Sequence, residues 1–201
     1  MIHPDPQAHS AMETTHGYAV ELYFDTSCEA RLRAAWAAAG SSLPALNATP
    51  HVSLAVLPEI DDVNLPVALR RFAASEAPLQ LQFAAVGAFP TAEGVVFLAP
   101  VVTGRLLALH QRCHALLAGL GEQPNGYYLP DRWVPHCTVG QDLPPDQVSA
   151  MVATLLRAAV FEPCRVVALG LVRFRPFVTI GRFPLGASST LDPGVSKTPE
   201  L

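Results

Sequence analysis

From Gly17 the chain alternates with a period of two. In GYAVELYF (17–24), Val20, Leu22 and Phe24 fall on one face and Ala19, Glu21 and Tyr23 on the other. That is the pattern of a strand with one face in a core. Helix formers follow in SCEARLRAAWAAA (27–39), stopped by Gly40. PHVSLAVLP (50–58) reads as a short strand fenced by prolines, and residues 62–75 as a helix starting near Asp61 and Asp62. LQLQFAAVGAF (79–89) and GVVFLAPV (94–101) predict a hairpin with a longer turn. The plan then recurs. A helix over 103–118 opens at Thr103, a loop covers 119–131, and RWVPHCTVG (132–140) reads as a strand. A helix over 146–160 and a hairpin of CRVVALGLVRF (164–174) with FVTIGRFPL (177–185) complete the series.

Helix, histidine-bearing strand, helix and hairpin therefore occur twice. Gly87 follows His51 by 36 residues and Gly170 follows His136 by 34. The matched order argues for an internal duplication. Hairpins mixed with helices predict an α+β fold, with lobes of roughly 17–101 and 102–185 intertwined in one domain over 17–185. Residues 1–16 are polar and proline-bearing, and 186–201 are rich in Gly, Ser and Pro. Both read as disordered tails.

Half of the 201 residues are hydrophobic, enough for a substantial core. No apolar run reaches the ~20 residues that span a bilayer, and the first residues lack the basic and apolar regions of a signal peptide. A net charge of −4 argues against a grip on long duplex nucleic acid, which calls for a basic surface. A short or terminal nucleotide remains open. The four cysteines (28, 113, 137 and 164) contain no C-x-x-C pair, so they are expected as reduced thiols of a cytoplasmic protein. Without heptads the chain is expected to be a monomer.

The candidate chemistry lies in a phrase written twice. His51-Val-Ser53-Leu and His136-Cys-Thr138-Val each follow a proline. On a strand, i and i+2 share a face, so each imidazole stands beside a hydroxyl. Val52, Leu54, Cys137 and Val139 then point toward the helices. An imidazole and a hydroxyl on an apolar strand need partners if buried. Were the lobes related by an approximate two-fold axis, the two polar pairs would face each other across a central cleft. One histidine would act as general base and the other as general acid, with the hydroxyls holding phosphate oxygens. The sequence does not say which histidine does which.

Two H-x-(S/T)-hydrophobic motifs at matching places resemble the two-histidine phosphoesterase superfamily. It includes the 2′-5′ RNA ligase-like proteins and the cyclic phosphodiesterases acting on RNA 2′,3′-cyclic phosphates or ADP-ribose 1″,2″-cyclic phosphate. The resemblance covers about 17–185. It implies a bilobal pair of antiparallel sheets facing a cleft with helices outside, and activity without metal or other cofactor. It also implies His51 and His136 as catalytic residues, with Ser53 and Thr138 on the phosphate. The RNA-ligase-like branch often carries an arginine five residues after the second histidine, where this chain has Gln141. A catalytically degenerate nucleotide- or RNA-end-binding module is the alternative.

Other residues have two readings each. Tyr23 either stacks on a base or packs in the core, and Glu21 either orients a histidine or meets solvent. Trp133 and Tyr128 could form a stacking platform or cover a core edge. Thr179 could face the cleft, and Arg173, Arg175 or Arg182 could supply positive charge. His110 and His114 have the i, i+4 spacing of a zinc pair and are the basis of a metal-hydrolase alternative. They lack a third ligand and a carboxylate base, so an exposed or capping role is expected. Cys137 is expected in the core, because its side chain faces away from that of His136.

Overall fold

The computed structural model describes residues 17–186. The two predicted tails lie outside this range except for Gly186. In order the elements are β1 (Gly17–Phe24), α1 (Thr26–Ala38), β2 (His51–Leu57), α2 (Asn64–Ser75), β3 (Leu79–Leu81), β4 (Phe83–Ala88) and β5 (Val96–Pro100). They continue as α3 (Gly104–Gly119), β6 (Cys137–Gly140), α4 (Pro145–Leu155), β7 (Cys164–Phe174) and β8 (Val178–Pro184). The α+β class and the two antiparallel sheets stand as expected. Helix starts follow local chemistry. Asp25 leaves β1 and caps α1 by accepting from the Cys28 amide (2.8 Å), and Thr103 caps α3 from the Leu106 amide (3.2 Å).

The larger sheet runs β2-β1-β7-β3, with β8 also pairing β7; the smaller runs β4-β5-β6. All pairings are antiparallel. Each sheet draws on both halves of the chain. The late hairpin β7-β8 joins the sheet of the first motif, and the early hairpin β4-β5 joins the sheet of the second. The inner faces share one core containing Val20, Leu22, Phe24, Val52, Leu54, Cys137 and Val139, with Trp36 of α1 and Leu109 of α3. The other face of β1 and β7 carries a separate small cluster, Ala19, Tyr23, Ala168 and Val172. The two faces of β1 thus divide as its alternation predicts.

Three local expectations are corrected. The run 79–89 is not one strand. It breaks at Gln82, and β3 pairs with β7 in one sheet while β4 pairs with β5 in the other. Period-two alternation continues across the break, so the pattern cannot show that the strand changes partner. The segment 132–140 is a strand only from Cys137, because Pro135 has no N–H for a ladder. Cys28 and Cys164 are joined in a disulfide, with Cα atoms 5.4 Å apart at a sequence separation of 136. Only Cys113 and Cys137 are free thiols, both buried. No spacing rule connects residues that far apart, and the cysteines no longer argue for a reducing compartment. None of the described helices is long and apolar enough to cross a membrane.

Candidate active site

The repeated Pro-His produces the same local geometry twice. His51 Nδ1 lies 2.6 Å from the carbonyl oxygen of Thr49, and His136 Nδ1 lies 2.7 Å from that of Val134. Each carbonyl belongs to the residue two positions earlier, with proline between. Proline holds the preceding residue extended, and in both motifs that residue's carbonyl meets the ring that follows. A carbonyl can only accept, so each Nδ1 carries the hydrogen and each Nε2 is left for other partners.

The environments of the two Nε2 atoms differ. His51 Nε2 faces Glu21 Oε1 at 3.3 Å; the Glu21 side chain is only 4% exposed. Tyr23 hydrogen-bonds Glu21 in turn. Burial pushes the Glu21 carboxyl up, and the His51 charge and the Tyr23 hydrogen bond pull it back in part. His136 is half-buried against a pair of touching aromatic rings, with Phe89 at 5.0 Å and Phe97 at 5.4 Å between centroids. Burial holds its imidazole below the usual histidine range, and the nearby His51 charge adds to the effect. The two histidines are thus close enough to interact electrostatically.

Around His51 the larger sheet presents a continuous rung. Ser53 of β2 pairs with Glu21 of β1, Glu21 with Gly170 of β7, and Gly170 with Arg182 of β8. The Arg182 guanidinium lies over the Tyr23 ring at 5.0 Å. Arg182 thus reaches the Tyr23 and Glu21 face. A small, open depression lies beside the rung. Glu21 and Tyr23, Asn47, Thr49 and His51, Val172, and the Phe177–Thr179 turn line it. Tyr23 and Thr179 therefore do share a cavity with His51. Ser53 is nearly buried beside it. Thr138 pairs across the smaller sheet with Phe97.

Trp133 is not available as a free platform. Its ring stacks on His110 at 4.0 Å and an interplanar angle of 2°. Its Nε1–H donates to the carbonyl of Ser53 (3.0 Å). Tyr128 lies outside the cavity lining. Its phenol is pushed up to about 12 by burial and then by the Glu21 charge. His110 and His114 are buried rather than exposed. Their Nε2 atoms donate to the carbonyls of Tyr128 (2.8 Å) and Leu54 (3.0 Å), which brace the loop before β6 and the strand β2. The i, i+4 spacing thus supports the first motif from behind. The Cys137 thiol is buried and pushed up to about 12, which suits a core residue and not a nucleophile.

Burial of the His110 ring also predicts a pH effect on folding. Its imidazole is lowered to about 4, first by desolvation and then by His114. Between about 4 and the ordinary value near 6.5 the unfolded chain binds a proton that the folded chain does not. Stability is therefore lost as pH falls through that window. The melting temperature should drop between pH 6.5 and 4, and His110→Phe, which cannot protonate, should flatten the dependence.

Phe89, Phe97, Asn47 and Thr49 were not legible as site residues. Phe89 and Phe97 sit in an ordinary hairpin, and only the pairing of β5 with β6 brings them to His136.

With this geometry in place, comparison with known proteins is direct. A family model described as the 2′-5′ RNA ligase superfamily matches residues 24–176. The chain belongs to that superfamily, within the two-histidine phosphoesterases. Its fold is similar to the crystal structure of TT0787 of Thermus thermophilus. They share 20% identity, 85% of this chain and 98% of that one are covered, and the TM-score is 0.57. It is also similar to E. coli LigT complexed with NADP+, at 17% identity, 86% and 99% coverage and a TM-score of 0.55. LigT complexed with 3′-AMP matches at 16% identity, 84% and 96% coverage and the same TM-score. No curated protein matches the chain by sequence.

Proposed function

We propose that this protein is a metal-independent phosphodiesterase that opens a cyclic phosphodiester. The substrate class is a 2′,3′-cyclic phosphate of a nucleotide or RNA end, or ADP-ribose 1″,2″-cyclic phosphate. The observation that carries this reading is the paired anchoring of His51 and His136 through Nδ1, which leaves Nε2 of each ring, that of His51 beside Glu21, as the proton-transfer position. Water attacks phosphorus and gives a proton to His136 Nε2 as the new P–O bond forms. The ester P–O bond breaks, and the leaving oxygen takes the proton from His51 Nε2. The product is a phosphomonoester, and solvent exchange resets both rings. Ser53 and Thr138 hold the non-bridging oxygens. Complexes of LigT with 3′-AMP and with phosphate support a phosphate-bearing ligand.

The test is incubation with chelator and a panel of these cyclic substrates, beside the His51→Ala/His136→Ala double variant. Hydrolysis by the wild type alone supports the reading. Binding of the panel without product would favour a degenerate binding module, the reading that Gln141 in place of the branch's arginine keeps in view.

A base must be unprotonated to act, and burial lowers the pKa of His136. The acid limb of kcat/KM should therefore lie below pH 6.5, the value of a free imidazole. A rate profile over pH 4–9 checks this, and an acid limb above 6.5 would reassign the base.

A further inference from the structure

We infer that Glu21 is the positioning residue of the acid step: it takes the Nε2 hydrogen of His51 while the Thr49 carbonyl takes that of Nδ1, so His51 is held doubly protonated. The inference rests on the phosphodiesterase reading and deepens it, because it fixes His51 as proton donor and leaves His136 as acceptor.

The argument is one of partners. Thr49 O and Glu21 Oε1 stand 2.6 and 3.3 Å from the two ring nitrogens of His51. The carbonyl accepts only, and so does the Glu21 carboxylate in the ionised form that the His51 charge and the Tyr23 hydrogen bond favour against the burial that raises it. Both contacts are satisfied together when both nitrogens carry hydrogen. His136 has one such acceptor, Val134 O, and packs against the Phe89 and Phe97 rings. The asymmetry between the histidines thus lies in what surrounds them, not in the motifs.

Glu21 is built into the sheet for this contact. It is buried on the central strand β1, beside Ser53 on the same rung. Tyr23 hydrogen-bonds it, and Gly170 lets Tyr23 lie there. A Cβ at Gly170 would come within 2.2 Å of the Tyr23 ring. His51 from β2 and Tyr23 from its own strand meet Glu21, and its charge is felt by Tyr128 from the loop before β6 and by Cys137 of β6. Arg182 of β8 lies over the Tyr23 ring, and Glu29 of α1 acts on Tyr23 more weakly. Among these groups, His51 is the one that meets the carboxylate directly with a charge able to match it. The 3.3 Å separation is long, so the same hydrogen can be shared with a second acceptor entering from the cleft. A substrate's leaving oxygen is that acceptor.

Glu21→Gln tests the assignment, since it keeps the shape and removes the charge. Turnover should fall about tenfold or more with KM changed less than about threefold, the signature of an interaction needed in the transition state. The alkaline limb of kcat/KM should move down by about one pH unit, because the donor loses its proton earlier. Superimposable profiles for variant and wild type would overturn the inference. A second readout needs no turnover. Nitrogen-15 NMR of the His51 ring at pH 7 should show both nitrogens protonated in the wild type and Nδ1 alone in Glu21→Gln. An unprotonated Nε2 in the wild type would also overturn it. If instead wild type and His136→Ala are equally inert on every substrate, the phosphodiesterase reading fails, and the NMR result still decides the Glu21 pairing.

Discussion

Replacing His136 with alanine is expected to lower turnover of the cyclic substrate by about 10²–10⁴, and replacing His51 by a similar factor, the range for loss of one general acid or base. The double variant should fall little below the worse single one, since acid and base serve one transition state and their losses do not add. KM should change far less than kcat, because Ser53, Thr138 and the cavity walls remain. Folding should survive. Neither ring is fully buried, and each Nδ1 hydrogen bond stays within its own turn, to a carbonyl two residues away. Steady-state kinetics on the substrate chosen by the panel, with thermal melts of each variant, measure this. Full activity in either folded variant would sink the two-histidine mechanism.

The repeated motif was legible because its cause is local. Proline, histidine and a hydroxyl residue two positions on are all in the string, and they suffice for the Nδ1 anchor and the shared face. The alternation of β1 was legible for the same reason, including the placement of Glu21 and Tyr23 opposite the core residues Val20, Leu22 and Phe24. What stayed hidden depends on which strand lies beside which. Phe97 reaches His136 because β5 pairs β6, and Arg182 reaches Tyr23 because β8 pairs β7. The i, i+4 histidines of α3 looked like an exposed pair because spacing alone does not reveal the burial of a helix face. Gly87 and Gly170 were visible as landmarks of the repeat, but their purpose was not. A Cβ at Gly87 would come within 2.6 Å of the Phe97 ring, as one at Gly170 would meet Tyr23. In each half, then, a glycine clears space for an aromatic ring from a neighbouring strand, one beside His136 and the other beside Glu21.

The same cross-connection between halves predicts that Trp36→Ala will be severely destabilising. The chain has two tryptophans. Trp133, just before the second motif, donates to the carbonyl of Ser53 in the first (3.0 Å). Trp36, on the helix before the first motif, donates to the carbonyl of Thr138 in the second (3.2 Å). Each hydroxyl residue of the site is thus braced through its backbone by an indole from the other half. Trp36 is only 1% exposed, so truncation to alanine should cost about 3–5 kcal/mol of unfolding free energy through lost burial and the cavity left behind. Trp36→Phe keeps most of the apolar contact and removes the donor, and should cost about 1–3 kcal/mol. In both variants Trp133 remains as the sole fluorophore of its kind for urea titration. If the brace positions Thr138, Trp36→Phe should also lower kcat at a temperature where the variant is fully folded. A midpoint for Trp36→Ala equal to that of the wild type would show that α1 is not held against the second sheet through this indole. Wild-type turnover in folded Trp36→Phe would confine the brace to stability.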